Sequence, residues 1–239
     1  MALPVERFVD FGRALPTILI APDDDHPGAG ACLVDNVFTN EFLNHIDAIR
    51  TSLPLIKPEK DSRNARRMFF DALRTVDRVV SHVIQHLPGT SVNEFQEVFL
   101  FPHMRFLEYQ QEGCWCPPHT DIGRTDRDDI SSTHTFILYL ETVEDGGGGT
   151  ALLHHLPRPD DPTDTMAIKH KITPHRGRLL WYPHATPHAG LPIIENKKTL
   201  IRGEVYISEH AMDAEFPDEA GDVLAAAERA AAHVRPDAR

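Results

Sequence analysis

The chain has 239 residues, room for one sizeable core but too few for two comfortable enzyme domains. Asp and Glu total 36 against 24 Lys and Arg, a formal net charge of -12, so the surface repels phosphate backbones and nucleic acid is not an expected partner. No stretch approaches the roughly 20 apolar residues that span a bilayer, and Met1 to Asp10 has neither a basic nor an apolar leader pattern, so a cytoplasmic protein without membrane contact is expected.

Residues 1–30 end in a turn-rich loop, Ala21-Pro22-Asp23-Asp24-Asp25-His26-Pro27-Gly28. Ala31 to Phe38 reads as a strand, and Thr39 or Asn40 can cap a helix that runs to about Thr51 with Phe42, Ile46 and Ile49 on its apolar face. A second helix carries Val76, Val79, Val80, Val83, Ile84 and Leu87 at helical spacing and stops at Pro88-Gly89. From Gln96 the pattern changes to short alternating strands at 96–101, 103–110, 115–121, 133–141, 150–155, 166–173, 178–182 and 198–207. About eight such strands fit a double-sheet jelly roll better than a βαβ fold. Acidic loops at 122–132 and 156–165 are candidate lids, and an Ala-rich helix is expected from Asp218 to about Val234. The expected organisation is a single domain, mainly β with flanking helices (α+β). Residues 1–95 give N-terminal strands and supporting helices, 96–208 the jelly-roll core, and 209–239 a C-terminal helix and tail.

The chemistry centres on His119-Thr120-Asp121. Residues i and i+2 of a strand point to one face, so His119 and Asp121 can bind one metal together. A histidine from a neighbouring strand would complete a 2-His-1-carboxylate facial triad, which leaves one face of Fe(II) open for oxygen chemistry. Taken alone, an HxD pair more often marks two residues hydrogen-bonded at a strand end. Of the downstream histidines, His188 is favoured because it opens His188-Ala189-Gly190-Leu191-Pro192 and leads to Lys198; His184 reads as a turn residue, and His154, His155 and His175 as surface or strand-end residues. Pro183 and Pro187 argue against a helical zinc pair of His184 and His188. Lys198 and Arg202 share one strand face, so either cation could point inward to a carboxylate, the lysine as a point charge and the arginine as a bidentate fork. Cys114-Trp115-Cys116 is tighter than CxxC spacing, and with Cys32 reads as reduced thiols.

These residues sit in a recognisable order. Arg105-Phe106-Leu107-Glu108-Tyr109 and Gly113 precede His119-Thr120-Asp121; Phe136-Ile137-Leu138-Tyr139-Leu140-Glu141 and Gly148-Gly149-Thr150 follow; then come Gly177-Arg178-Leu179-Leu180-Trp181, His188 to Pro192, and Lys198. Over roughly residues 100–208 the chain resembles the Fe(II)/2-oxoglutarate-dependent dioxygenases, in their prolyl-4-hydroxylase-like branch. The resemblance implies a double-stranded β-helix with His119, Asp121 and His188 as iron ligands. Lys198, ten residues past the distal histidine, would hold 2-oxoglutarate, with Arg202 as its rival. Tyr139 would donate to the same carboxylate, and Tyr109 would line the pocket. Fe(II), 2-oxoglutarate and O2 are the implied cofactors, with ascorbate as an accessory reductant.

The implied reaction hydroxylates an unactivated C–H bond and releases succinate and CO2. Asp121 favours hydroxylation, because related halogenases replace that carboxylate with a small residue. A small molecule, such as an amino acid or other metabolite, is the preferred substrate class; a prolyl or other residue in a peptide is the alternative. A Zn- or Mn-dependent cupin-like protein, or a non-catalytic metal binder, is more remote and would have no need of an inward lysine. The oligomeric state is not legible.

Overall fold

The computed structural model of the chain describes residues 4–56, 64–70, 75–87, 92, 96–125, 131–144, 146–158, 160–161, 163–195 and 197–208. Strands β1 (Leu15–Ile18) and β2 (Cys32–Asp35) precede helix α1 (Asn40–Ser52); β3 (Asn64–Phe70) and α2 (Thr75–His86) follow. Next come β4 (Glu97–Leu100), β5 (His103–Tyr109), β6 (Cys116–His119) and β7 (His134–Tyr139). The chain then adds β8 (Thr150–Leu153), β9 (Ile168–Ile172), β10 (Leu179–Pro183), β11 (His188–Gly190) and β12 (Lys198–Ser208).

The larger sheet runs β1-β2-β10-β7-β12-β5-β3, with β4 paired to β12; the smaller runs β6-β11-β8-β9. Every pairing is antiparallel, as a jelly roll requires. Strand parity builds two cores from the larger sheet. Phe136, Leu138, Leu179, Trp181, Ile201 and Val205 pack outward on the helices. Ile137, Tyr139, Leu180, Tyr182 and Leu200 point inward, where they meet Leu152 and Ile172 of the smaller sheet. Helix α1 starts where the Thr39 hydroxyl accepts the Phe42 N–H at 3.4 Å, and it buries Phe42, Leu43 and Ile46. Helix α2 buries Val76, Val79, Val80, Val83 and Ile84, each worth roughly 1.5–3 kcal/mol of transfer free energy.

Three strands depart from the sequence expectation. β1 is an edge strand with all four residues exposed, so no alternation marks it. β3 joins the far edge of the same sheet, opposite β5, from a stretch between the two helices to which the sequence reading assigns no element. β11 has three residues, too short for a periodic signal. The strand expected at 115–121 stops at His119, and Asp121 lies beyond its end. The Pro88-Gly89 helix stop, positions 126–130 of the first lid loop and the C-terminal helix at 218–234 lie outside the described residues. Among the described residues no helix is long and apolar enough to cross a membrane.

Candidate active site

β6 and β11 are paired so that His119 and His188 stand directly opposite each other. Asp121 follows β6 and stays in an extended course because its N–H donates to the His184 carbonyl at 3.0 Å. The result is a compact triangle: His119 Nε2 and His188 Nε2 each lie 3.6 Å from an oxygen of Asp121. All three ligand atoms fall within 4.8 Å of one another, and among the described residues this is the group that could hold a metal ion. Each imidazole is oriented by its other nitrogen. His119 Nδ1 donates to Pro117 O at 2.8 Å and His188 Nδ1 to Thr186 O at 2.9 Å, which leaves both Nε2 atoms for a metal.

The charge state suits a cation. Burial alone would push the Asp121 carboxyl up, but hydrogen bonding to His119 and the Arg202 guanidinium more than offset it and hold the group well below the usual carboxylate range. Hydrogen bonding to Asp121, then to Cys116, raises His119 to about 10, so without a metal its Nε2 carries a proton beside the carboxylate, in the place a cation would take. His188 is pushed down to about 4, chiefly by burial, and is therefore a neutral ligand at physiological pH.

Asp121 is also held from behind. Thr135 Oγ1 donates to Asp121 Oδ2 at 2.6 Å, and Arg202 Nη2 meets Oδ1 at 2.5 Å. Since the Thr135 proton is committed to the carboxylate, its oxygen accepts from His184 Nδ1 at 3.0 Å, and His184 Nε2 accepts from Ser132 at 2.9 Å. His184 thus takes both ring nitrogens out of the competition for metal and supports Asp121 through Thr135. Its turn position matches the sequence reading; its burial and its part in this chain do not follow from that reading. Thr135 and Ser132 were missed, although Thr135 shares the inward parity of Ile137 and Tyr139. The exposed side chains of His154, His155 and His175 lie outside the triad.

A narrow cavity of about 60 Å³ is lined by His119 and His188 and walled by Leu107, Ile137 and Leu200. Lys198 closes its far end. This residue is 1% exposed, its Nζ donates to Gly148 O at 2.6 Å, and it lies 4.4 Å from the centroid of the Tyr109 ring. Gly148 adopts a left-handed φ of 63° as it presents that carbonyl. No carboxylate pairs with Lys198 among the described residues, and burial lowers its ammonium to about 8.

Tyr109 lines the cavity. The Tyr139 hydroxyl donates to Thr150 Oγ1 at 2.6 Å. Arg202 also points inward, but toward the metal end: besides Asp121 it grips Glu204 Oε1 at 2.8 Å, an oxygen that Arg105 reaches at 2.9 Å. A buried ammonium with no countercharge among the described residues, and the candidate metal triangle, in one cavity fit a dicarboxylate that spans them.

The profile of the 2OG-Fe(II) oxygenase superfamily matches residues 104–203. No curated protein sequence matches the chain. Among solved structures, an oxidoreductase of the 2OG-Fe(II) oxygenase family from Burkholderia pseudomallei is 16% identical with a TM-score of 0.51, covering 76% of this chain and 85% of its own. HygX from Streptomyces hygroscopicus, solved with nickel and 2-oxoglutarate bound, is 12% identical with a TM-score of 0.50, covering 74% and 82%. A Pseudomonas putida prolyl-4-hydroxylase is 16% identical with a TM-score of 0.46, covering 80% and 98%. At these identities the likeness is one of fold. Residues 104–203, which hold the triad, most of the cavity lining and Lys198, match the 2OG-Fe(II) oxygenase superfamily, whose enzymes need Fe(II), 2-oxoglutarate and O2.

Proposed function

We propose that this oxygenase hydroxylates an unactivated C–H bond in a small acid-bearing molecule such as an amino acid, with release of succinate and CO2. His119, Asp121 and His188 would hold Fe(II), and Lys198 would hold the far carboxylate of 2-oxoglutarate. Bound there, the metal supplies activation of O2 coupled to decarboxylation of the cosubstrate. The protein's own share is orientation and exclusion of water: Thr135 and Arg202 fix the carboxylate ligand, and Leu107, Ile137 and Leu200 wall the cavity. The observation that carries the reading is Lys198, a buried ammonium in the same cavity as the triad, which a cupin-like metal protein would not need. Arg202 lines the cavity at the triad end, where a substrate acid group would have to share its guanidinium with Asp121 and Glu204. The reading treats the chain as one functional unit, supported by β1, β2 and β3 lying in one sheet with the core strands. Its compartment would be a reducing, cytoplasmic one, in keeping with free Cys32, Cys114 and Cys116.

Substrate-stimulated succinate release tests the substrate class. Free amino acids and other small acids are expected to stimulate it, and the matching amides to stimulate it far less. Stimulation by proline-containing peptides alone would make the chain a peptide hydroxylase.

A pH dependence follows from Lys198. Its ammonium, lowered to about 8 by burial, is charged below that pH and increasingly neutral above it. 2-Oxoglutarate affinity is therefore expected to be flat below pH 8 and to fall as pH rises, by at most about tenfold per unit. Anaerobic titrations between pH 6.5 and 9.5 check this, and Lys198→Arg, which stays charged, should flatten the decline.

A further inference from the structure

Tyr182 is a cavity residue to which neither motif nor resemblance gives a role. It lies on β10, fully buried, with its ring centroid 4.8 Å from that of His188. Across the sheet it stands opposite Thr135, the residue whose hydroxyl holds Asp121. Its side chain lines the cavity together with His119, His188 and Lys198, yet its hydroxyl has no hydrogen-bond partner among the described residues. A buried phenol with nothing to bond is costly unless a ligand completes it.

The strand registers fix its depth. Thr135 pairs with Glu204, Ile137 with Arg202 and Tyr139 with Leu200, so Lys198 lies beyond the last of these rows while Tyr182 lies in the first. Tyr182 and Lys198 therefore mark opposite ends of the cavity. Of the other inward hydroxyls, Thr135 donates to Asp121 and Tyr139 donates to Thr150. A phenol carries its proton at neutral pH, so the Tyr182 hydroxyl can donate.

We propose that Tyr182 is a cosubstrate-binding residue whose hydroxyl donates a hydrogen bond to the oxo-acid end of 2-oxoglutarate, the end that meets the metal, while Lys198 holds the far carboxylate. This rests on the cosubstrate reading given above. The acceptor is a carboxylate or keto oxygen of a 2-oxo acid, and the two donors would fix both ends of a flexible molecule.

Tyr182→Phe removes the hydroxyl and keeps the ring that packs on His188. The experiment loads parent and variant anaerobically with Fe(II), measures Fe(II) affinity, then titrates 2-oxoglutarate and follows the visible charge-transfer band. The variant should bind Fe(II) like the parent but 2-oxoglutarate roughly 5- to 30-fold more weakly, with the band maximum displaced because a donor to the oxo acid is gone. Unchanged affinity and an unchanged band overturn the proposal, as does weakened Fe(II) binding, which would make Tyr182 a support for the metal ligands. No band in the parent chain would sink the cosubstrate reading itself, an outcome distinct from a parent band that Tyr182→Phe fails to move.

Discussion

Alanine at His119, Asp121 or His188 is expected to abolish 2-oxoglutarate turnover and to weaken Fe(II) binding severely, while the far-UV circular dichroism of the chain stays unchanged. Two remaining ligands cannot define the open face that oxygen chemistry needs. The three positions differ in what else they disturb. His119 stands at the end of β6, and its loss also touches Cys116, the Pro117 carbonyl, Asp121 and the His188 ring. Removing Asp121 also strips a partner from Arg202 and Thr135, so Asp121→Asn, which keeps the shape but not the charge, is the cleaner companion variant. His188 is buried, so His188→Ala should lower the melting temperature most. Fe(II) affinity and succinate release, measured with the melting curve, separate ligand loss from unfolding. Full activity in His188→Ala would move the distal ligand elsewhere. His184 is the nearest alternative, but its ring nitrogens face Ser132 and Thr135.

Strand periodicity explains why this triangle could be read from residues alone. A period of two commits His119 and Asp121 to one face whatever the rest of the chain does, although Asp121 keeps that face through a bond to His184 rather than through β6. The same alternation put Lys198, Leu200 and Arg202 inward on β12, where Leu200 joins the inter-sheet core and both cations line the cavity. What periodicity cannot give is the partner across the sheet. Register sets Lys198 against Tyr109 and Arg202 against Arg105, and only that pairing decides which cation reaches the deep end. Edge strands were missed for a related reason: β1 buries no side chain of its own and is held by backbone bonds to β2, so it leaves no hydrophobic signature. His184 and Tyr182 were passed over because each owes its role to a contact distant in sequence, with Thr135 in one case and the cavity in the other. The N-terminal helices were legible because their burial pattern is local.

Removing the Lys198 ammonium should have the largest effect on cosubstrate affinity of any change outside the triad. A charge-assisted bond to a buried carboxylate contributes about 1.5–3 kcal/mol, so Lys198→Ala, or the volume-preserving Lys198→Met, should weaken 2-oxoglutarate binding roughly 10- to 150-fold. Arg202→Ala should act differently, because that guanidinium is engaged by Asp121 and Glu204 at the metal end. Its loss should reach Fe(II) affinity and the coupling of turnover to substrate more than 2-oxoglutarate affinity. Stability supplies a second readout of opposite sign. A nearly fully buried ammonium whose partners among the described residues are the Gly148 carbonyl and the Tyr109 ring, with no carboxylate, destabilises the ligand-free fold. Lys198→Met should therefore leave the melting temperature of the cosubstrate-free protein unchanged or raise it, even as binding is lost. An ordinary structural lysine would show the reverse, a lower melting temperature with cosubstrate affinity intact. If Arg202→Ala carried the whole 2-oxoglutarate effect and Lys198→Met none, the deep cation would have no role in recognition and the two ends of the cavity would have to be exchanged.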